Sequence, residues 1–445
     1  MDPPNRILKD GACLIEDDRI VSIGDTQTVR PQAAAPEYRI DARNSLLLPG
    51  LIDAHVHTGN SLSRGIIPPD VAYREWISDW MLPYKSLVTR GEGKVAAQFC
   101  LLEMIRTGTT CYLDSLIYSR HGYESIAEAV VEAGVRACLA KFVTNVPRLE
   151  KMEGSGEEDS IREARQLHSR LNGAGQGRVE VWLEPPPLGT GSRSFYEEAS
   201  TLARELKTGL TIHFLESKED KERLLAQGLA PGRFAMETGL LGPRSVLAHA
   251  IWVSDDDIEA ITQAEASVAH CPTTNLKLLD GLAPIAKMAH KGVNVALGCD
   301  GFSSNDNVDI FREMRTATIL HRTLTMDPAA LSSLEALRMG TIYGARALGK
   351  ARTIGSLEEG KKADMIVVDM KRPYSSVKRD PVGHLIHTCS SGEVKHVIVD
   401  GKFIMQDQRI LTMNEERIHE EVERTAQDLG RRVDARRSPT GGPVQ

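Results

Sequence analysis

No apolar run in the chain approaches the roughly 18 residues that a bilayer span needs, so a membrane-spanning helix is not expected. The opening segment, MDPPNRILKDGACLIEDD, lacks a basic stretch followed by an apolar one, and so does not read as a secretory signal. No dense basic stripe is present and the formal net charge is -7, which argues against a nucleic-acid partner. Cysteine is sparse: seven scattered residues with no CxxC pair. That excludes a disulfide framework and suits a reduced, cytoplasmic protein with free thiols. No glycine-rich phosphate turn follows the first strand of the repeating middle, which argues against a doubly wound dinucleotide fold.

What is present is an ordinary globular balance, 41% hydrophobic and 26% charged, in 445 residues. That length suits a large barrel with an accessory domain. The ends of the chain are β-rich. ACLIEDDRIVSIGD reads as a hairpin, and ADMIVVDM and VKHVIVDGKFIM read the same way, with Asp400-Gly401 as a tight-turn signal. These two pieces are expected to pair into one small β-sandwich.

The middle alternates short apolar strands with amphipathic helical stretches. Eight strands are legible: LIDAHVH, TTCYLDS, VRACLAKFV, VEVWLEP, LTIHFLE, SVLAHAI, SVAHCP and NVALGCD. Alternation of this kind builds parallel βαβ units, and eight of them suit a closed (β/α)8 TIM barrel, an α/β fold. The expected division places the N-terminal part of the sandwich at 1–48 and the barrel at 49–351. The C-terminal part of the sandwich follows at 352–411, and a helix with a polar tail at 412–445. The segment MEGSGEEDS near residue 155 reads as a solvated acidic loop, and the tail SPTGGPVQ as disordered.

The chemistry-bearing residues fall at strand ends. His55 and His57 close the first strand, and residues i and i+2 of a strand point to one side. His213 ends the fifth strand, His249 the sixth and Asp300 the eighth. A barrel gathers these ends around one axis. His55, His57, His213 and Asp300 there make an N/O site for one Zn²⁺ or Fe²⁺ ion. Glu216, three residues past His213, is placed to move a proton rather than bind metal. His249 is either a fifth ligand or a group that holds water or substrate. His270, at the seventh strand, is either a substrate contact or a structural histidine. Trp80 and Trp182 either stack on a substrate ring or pack in the core.

The pattern resembles the amidohydrolase superfamily, in its cytosine deaminase-like and chlorohydrolase-like branch. The motifs that carry the resemblance are LLPGLIDAHVH at 47–57, HFLES at 213–217, LAHA at 247–250, HCPTTNLKL at 270–278 and LGCDGFSSND at 297–306. GSLEEGKKADMIVVD at 355–369 is similar to that family's return to its sandwich. The resemblance implies one divalent metal, zinc before iron, held by His55, His57, His213 and Asp300. It implies catalytic roles for Glu216, His249 and Asp300. The fourth strand, VEVWLEP, lacks the lysine that bridges two metals in binuclear members, which fits a single ion. The implied reaction is hydrolysis of an exocyclic amine from a nitrogen heterocycle (purine, pterin or pyrimidine) with release of ammonia.

REWISDWMLP, NLKL and FREMRTA look most like the deaminases of S-adenosylhomocysteine and methylthioadenosine. Three departures stand out. Lys85 follows Pro83-Tyr84 where those enzymes carry a glutamate that grips the ribose diol, Lys141 stands where they carry an arginine, and Pro185-Pro186-Pro187 replaces a histidine. A lysine has no acceptor for two hydroxyl hydrogen bonds, so the expected substrate is an amino-heterocycle other than a nucleoside. Lys85 is then a substrate-side candidate, and Lys141 is either substrate-side or structural. The resemblance also implies a further strand before Met1, whose absence leaves a sandwich edge for another chain or a loop to cover. A homodimer is the default expectation.

Two rival readings use the same residues. One is displacement of chloride or an alkylamine from a triazine ring, or amide cleavage, at the same metal. The other is a non-catalytic barrel scaffold. Such scaffolds typically lose metal ligands, and this chain keeps the full set.

Overall fold

The computed structural model describes residues 6–30, 37–154, 159–371 and 379–437. Residues 155–158, the centre of the acidic segment, and the tail 438–445 lie outside the described residues.

Eight parallel strands form the centre: β1 Leu51–Val56, β2 Thr109–Ile117, β3 Arg136–Phe142, β4 Val179–Glu184, β5 Leu210–Phe214, β6 Ser245–His249, β7 Ser267–His270 and β8 Asn294–Leu297. They pair in strict sequence order. Five helices matter below: α1 Leu82–Leu87, α2 Arg90–Arg106, α3 Pro272–Lys277, α4 Ile310–Thr325 and α5 Glu415–Arg437. Local sequence starts them where they start. Thr89 and Glu92 close a capping box on α2, and the Asp309 carboxylate accepts from the Phe311 and Arg312 amides at the head of α4.

The barrel closes at its functional end. A parallel bridge joins Val56 to Asp300, with the Asp300 amide donating to the His55 carbonyl at 2.8 Å. Gly298 makes this approach possible, because a Cβ there would sit 2.8 Å from the His55 Cβ. Asp53 stitches the same seam: its Oδ1 accepts from the amides of His55 and Cys299, each at 3.1 Å.

The interior fills as small barrels do. Ile52, Ala54, Cys111, Leu113, Cys138, Ala140, Trp182, Val246, Ala269 and Ala296 form the inner cluster. Trp182 is therefore barrel filling, fully buried with its ring against Gly209, not a stacking platform for a substrate. Alternate residues of β3, Ala137 and Leu139, face outward to the helices. Lys141 shares that parity. Its ammonium pairs with Glu153 and, at 3.4 Å, with Glu163, and donates to the Phe142 carbonyl at 2.7 Å. The expectation that Lys141 faces substrate is corrected by this one-residue offset.

A five-stranded antiparallel sheet gathers Ser45–Pro49 from before the barrel with Met365–Asp369, Val394–Val399, Lys402–Gln406 and Arg409–Ile410 from after it. The sandwich thus draws on both chain ends. Asp400 and Gly401 both have positive φ, as a two-residue hairpin requires. The N-terminal hairpin, Gly11–Glu16 with Arg19–Asp25, forms its own two-stranded sheet and packs Ile20 against Met365 and Ile398.

Barrel and sheet meet at a buried ion cluster. Arg136, at the start of β3, bonds Asp364 at 2.5 and 3.0 Å and also pairs with Asp400. Replacing one member of such a cluster strands the other charges out of water. Arg136→Met is expected to destabilise the fold by about 3–5 kcal/mol, read as a lowered urea midpoint with unchanged metal content.

Candidate metal and catalytic centre

The i, i+2 rule puts His55 and His57 on one side, but a bulge decides which side. Between Asp53 and Val56, β1 advances three residues while β2 advances from Tyr112 to Asp114. Ile52 and Ala54 point into the barrel and Val56 points out, so the bulge turns His55 and His57 inward at the mouth. His213, His249 and Asp300 come from β5, β6 and the residue bridged to β1.

Four donor atoms converge. Ligand atoms of His55, His57, His213 and Asp300 lie within 4.8 Å of one another. Asp300 Oδ1 is 3.0 Å from His57 Nε2 and 3.4 Å from His55 Nε2. His213 Nε2 is 3.3 Å from His57 Nε2. The outer nitrogens settle the tautomers. His57 Nδ1 lies 3.1 Å from the Ser115 carbonyl and His213 Nδ1 lies 3.0 Å from Glu184 Oε1, so both Nδ1 atoms donate. Each Nε2 then presents a lone pair to the same point. Two facing lone pairs at that separation repel unless a cation lies between them. Burial lowers the His55 imidazole to about 3, which favours its neutral form; burial lowers His57 too, but Asp300 outweighs it and leaves that imidazole raised. Neither ring nitrogen of His55 has a hydrogen-bond partner among the described residues. The arrangement fits a single divalent ion with N/O ligands.

A supporting shell holds these ligands. Glu184, fully buried at the end of β4, accepts from His213 and also from the Ser115 hydroxyl at 2.7 Å and the Leu116 amide at 2.6 Å. Ser304 donates to Asp300 Oδ2 at 3.0 Å. Carboxylates and hydroxyls behind metal ligands fix ring orientation and raise ligand basicity. His249 and Asp300 both have left-handed φ, +68° and +64°. Backbone in that region costs about 1–3 kcal/mol per residue and persists where surrounding structure imposes it.

Beside the four donors stand Glu216 and His249, the two residues expected to act on protons and substrate. Glu216 is buried, with Oε1 3.6 Å from His249 Nε2, and Tyr73 donates to its Oε2 at 3.3 Å. Burial raises the Glu216 carboxyl above its ordinary range, with the His249 charge opposing. His249 Nδ1 is anchored 3.0 Å from Asn275 Oδ1 on α3. Tyr73→Phe is expected to lower kcat/KM about ten- to a hundredfold, the weight of one hydrogen bond to a charged group, with metal content and melting temperature unchanged.

Of the five substrate-side candidates, Lys85 alone reaches the site. It is buried on α1 over the mouth, with its ammonium 5.7 Å from the Tyr118 ring centroid and in no hydrogen bond or ion pair among the described residues. Burial draws it down to about 8, while Glu184, Asp300 and Glu216 pull the other way. Trp80 is a correction. It packs with Leu429 and Val433 of α5, under the Arg437 guanidinium, where the apolar face of that helix covers it. His270 is another. Its Nε2 lies 3.0 Å from His321 Nε2 on α4, on the outer face of β7. Lys141 and Trp182 lie on the outer and lower barrel faces already described. Asp53, Glu184, Tyr73 and Asn275 were not singled out from sequence. For Glu184 a signal existed, a carboxylate at a strand end just before three prolines.

Comparison with known proteins agrees with the geometry. Residues 46–404 match the amidohydrolase family. A 5'-deoxyadenosine deaminase of Methanosarcina mazei is 36% identical over 439 residues, 98% of this chain and 97% of that protein. A 5-methylthioadenosine/S-adenosylhomocysteine deaminase of Caldanaerobacter subterraneus subsp. tengcongensis is 33% identical over 96% of this chain and 95% of its own length. An adenosine deaminase structure from Xanthomonas campestris with bound zinc superposes with a TM-score of 0.90 at 26% identity, covering 96% of this chain and 95% of that one.

Proposed function

The chain belongs to the amidohydrolase family and is a metal-dependent hydrolase that deaminates a nitrogen heterocycle, and from that premise we propose that its substrate is an aminopurine recognised as a base rather than through a ribose diol. The observation that carries the reading is the convergence of four metal donors with Glu216 and His249 at one barrel mouth. The purine is drawn from the relatives, named for adenosine derivatives. The absence of a diol grip is drawn from Lys85, which donates only.

When bound, the divalent ion supplies Lewis acidity and lowers the pKa of water toward neutrality. His55, His57, His213 and Asp300 hold it. Glu216 accepts the proton of the attacking water at its carboxylate, delivers it to the ring nitrogen beside the amine, and assists departure of ammonia. Its raised pKa, a result of burial, favours taking up that proton and holding it for the ring nitrogen. His249 faces the same space with an unpartnered Nε2 and stabilises the attacking oxygen. Asp300, held by Ser304, accepts the second proton, from the oxygen once it is bonded to the ring carbon, and passes it to the amine that leaves as ammonia. Lys85 donates to an acceptor on the ring.

Seven free cysteines, six of them buried, suit a reducing cytoplasm. Among the described residues no helix is long and apolar enough to cross a membrane. A homodimer is proposed as the working form, tested by light scattering.

The test is ammonia release by metal-quantified protein from aminopurine bases, their nucleosides, pterins, pyrimidines and triazines. Release from a purine base at higher kcat/KM than from its nucleoside supports the reading. Preference for the nucleoside overturns the base assignment. Release of chloride or alkylamine without ammonia overturns the deaminase reading.

A further inference from the structure

Asp280 follows α3 in the turn that leads away from β7. Its backbone is pinned: the amide donates to the Asn275 carbonyl at 3.1 Å, and the Trp252 indole donates to its carbonyl at 2.7 Å. Asn275 in turn holds His249. The Asp280 side chain is therefore carried on the segment that positions a catalytic residue.

The carboxyl itself has no structural partner. It is 5% exposed, and both oxygens are buried without a hydrogen bond among the described residues. The charges that act on it most are Glu216, Asp300, Asp220 and Glu219, all of its own sign. Burial first, then these carboxylates, push its pKa upward. A buried carboxyl with no donor destabilises a fold, and this one stabilises nothing else visible. Two other buried polar atoms on connected elements, Asn275 Nδ2 and His249 Nε2, also lack a hydrogen bond among the described residues. Unmet polar atoms on one wall of a catalytic mouth are complements to a ligand.

We propose that Asp280 determines specificity by binding a second amidine-type edge of the substrate, a ring nitrogen beside an N–H donor, distinct from the amine that is removed. The inference rests on the deaminase reading above. A neutral carboxyl offers one acceptor and one O–H donor side by side, which match the N–H and ring nitrogen of an amidine edge. A carboxylate makes the same pair with a protonated amidine. A ring that bears only the reacting edge leaves Asp280 unmet and binds more weakly.

The experiment compares matched rings on metal-loaded protein: adenine with 9-methyladenine, and 9-methyl-2,6-diaminopurine with 9-methyladenine. In at least one pair, kcat/KM is expected to favour the ring with the second edge tenfold or more. Asp280→Leu is expected to reduce that ratio to within threefold of unity. Asp280→Asn keeps an acceptor and a donor and is expected to retain the preference. Neither variant loses a partner, so melting temperatures are expected to hold or rise. A ratio unchanged in Asp280→Leu overturns the proposal. So does an equal fall on both rings of every pair, which would mean that Asp280 acts through Glu216. If the native protein releases ammonia from no ring, the deaminase reading fails by itself. Calorimetric binding of the same pairs to Glu216→Gln then decides: tighter binding of the edge-bearing ring, lost in Glu216→Gln/Asp280→Leu, upholds Asp280, and equal binding overturns it.

Discussion

Glu216→Gln is expected to lower kcat for ammonia release by about a thousandfold, the middle of the range for a positioned general acid–base, while one metal ion per chain is retained. Glutamine has the same shape and still accepts from the Tyr73 hydroxyl that lies 3.3 Å from Glu216 Oε2. It cannot take up a proton at neutral pH, so both proton transfers are lost together. Metal retention is the discriminating half. Ligand atoms of His213, Glu216 and His249 also lie within 4.8 Å of one another, a second possible trio. If Glu216 were a ligand of the ion, the variant would lose metal as well as rate. Loss of rate with metal kept assigns the proton role. Full activity in the variant would move that role to Asp300 and remove the main support for the mechanism.

Stripping the metal with a chelator is expected to abolish ammonia release, and one equivalent of Zn²⁺ per chain to restore it. The chain offers the reason. His57 Nε2 and His213 Nε2 face each other at 3.3 Å with both Nδ1 protons committed to Ser115 and Glu184. In the metal-free protein that contact needs a proton, so protons and metal compete for one place. Metal affinity is therefore expected to fall as pH falls, because each ligand must be deprotonated to bind. A ligand that binds only the folded state raises stability with its concentration, so the stripped protein is also expected to melt at lower temperature. Glu184→Gln keeps all four ligands and loosens the His213 ring. A 10- to 100-fold loss of metal affinity is expected there, the usual weight of such a supporting carboxylate. Activity that survives complete removal of metal would overturn the assignment of this centre.

Much of the site was legible because it depends on strand ends. An apolar strand that stops at a histidine or an aspartate carries its chemistry in one dimension, and a closed barrel maps eight such ends onto one circle. His213 and His249 follow from that rule, and Glu216 and Asp300 stand just past their strand ends; the inward turn of His55 and His57 needed the β1 bulge as well. The alternation that named the eight strands is likewise local, set by periodicity and turn residues.

What tertiary structure alone decided concerns direction and depth. Lys85 and Lys141 are both lysines near the barrel mouth in sequence. One sits on a helix over the opening, and the other lies one residue out of phase with the inward row Cys138 and Ala140. A shift of one residue turns a strand side chain from inside to outside. Trp182 has the inward phase but lies two residues below Glu184, where the barrel is packed solid. The bulge in β1 reverses the phase just where His55 and His57 need it, and it is set by pairing with β2 rather than by any residue of β1. Asp53, Tyr73 and Asn275 bond across elements distant in sequence. Their partners exist only once the chain is closed, so no local pattern announces them.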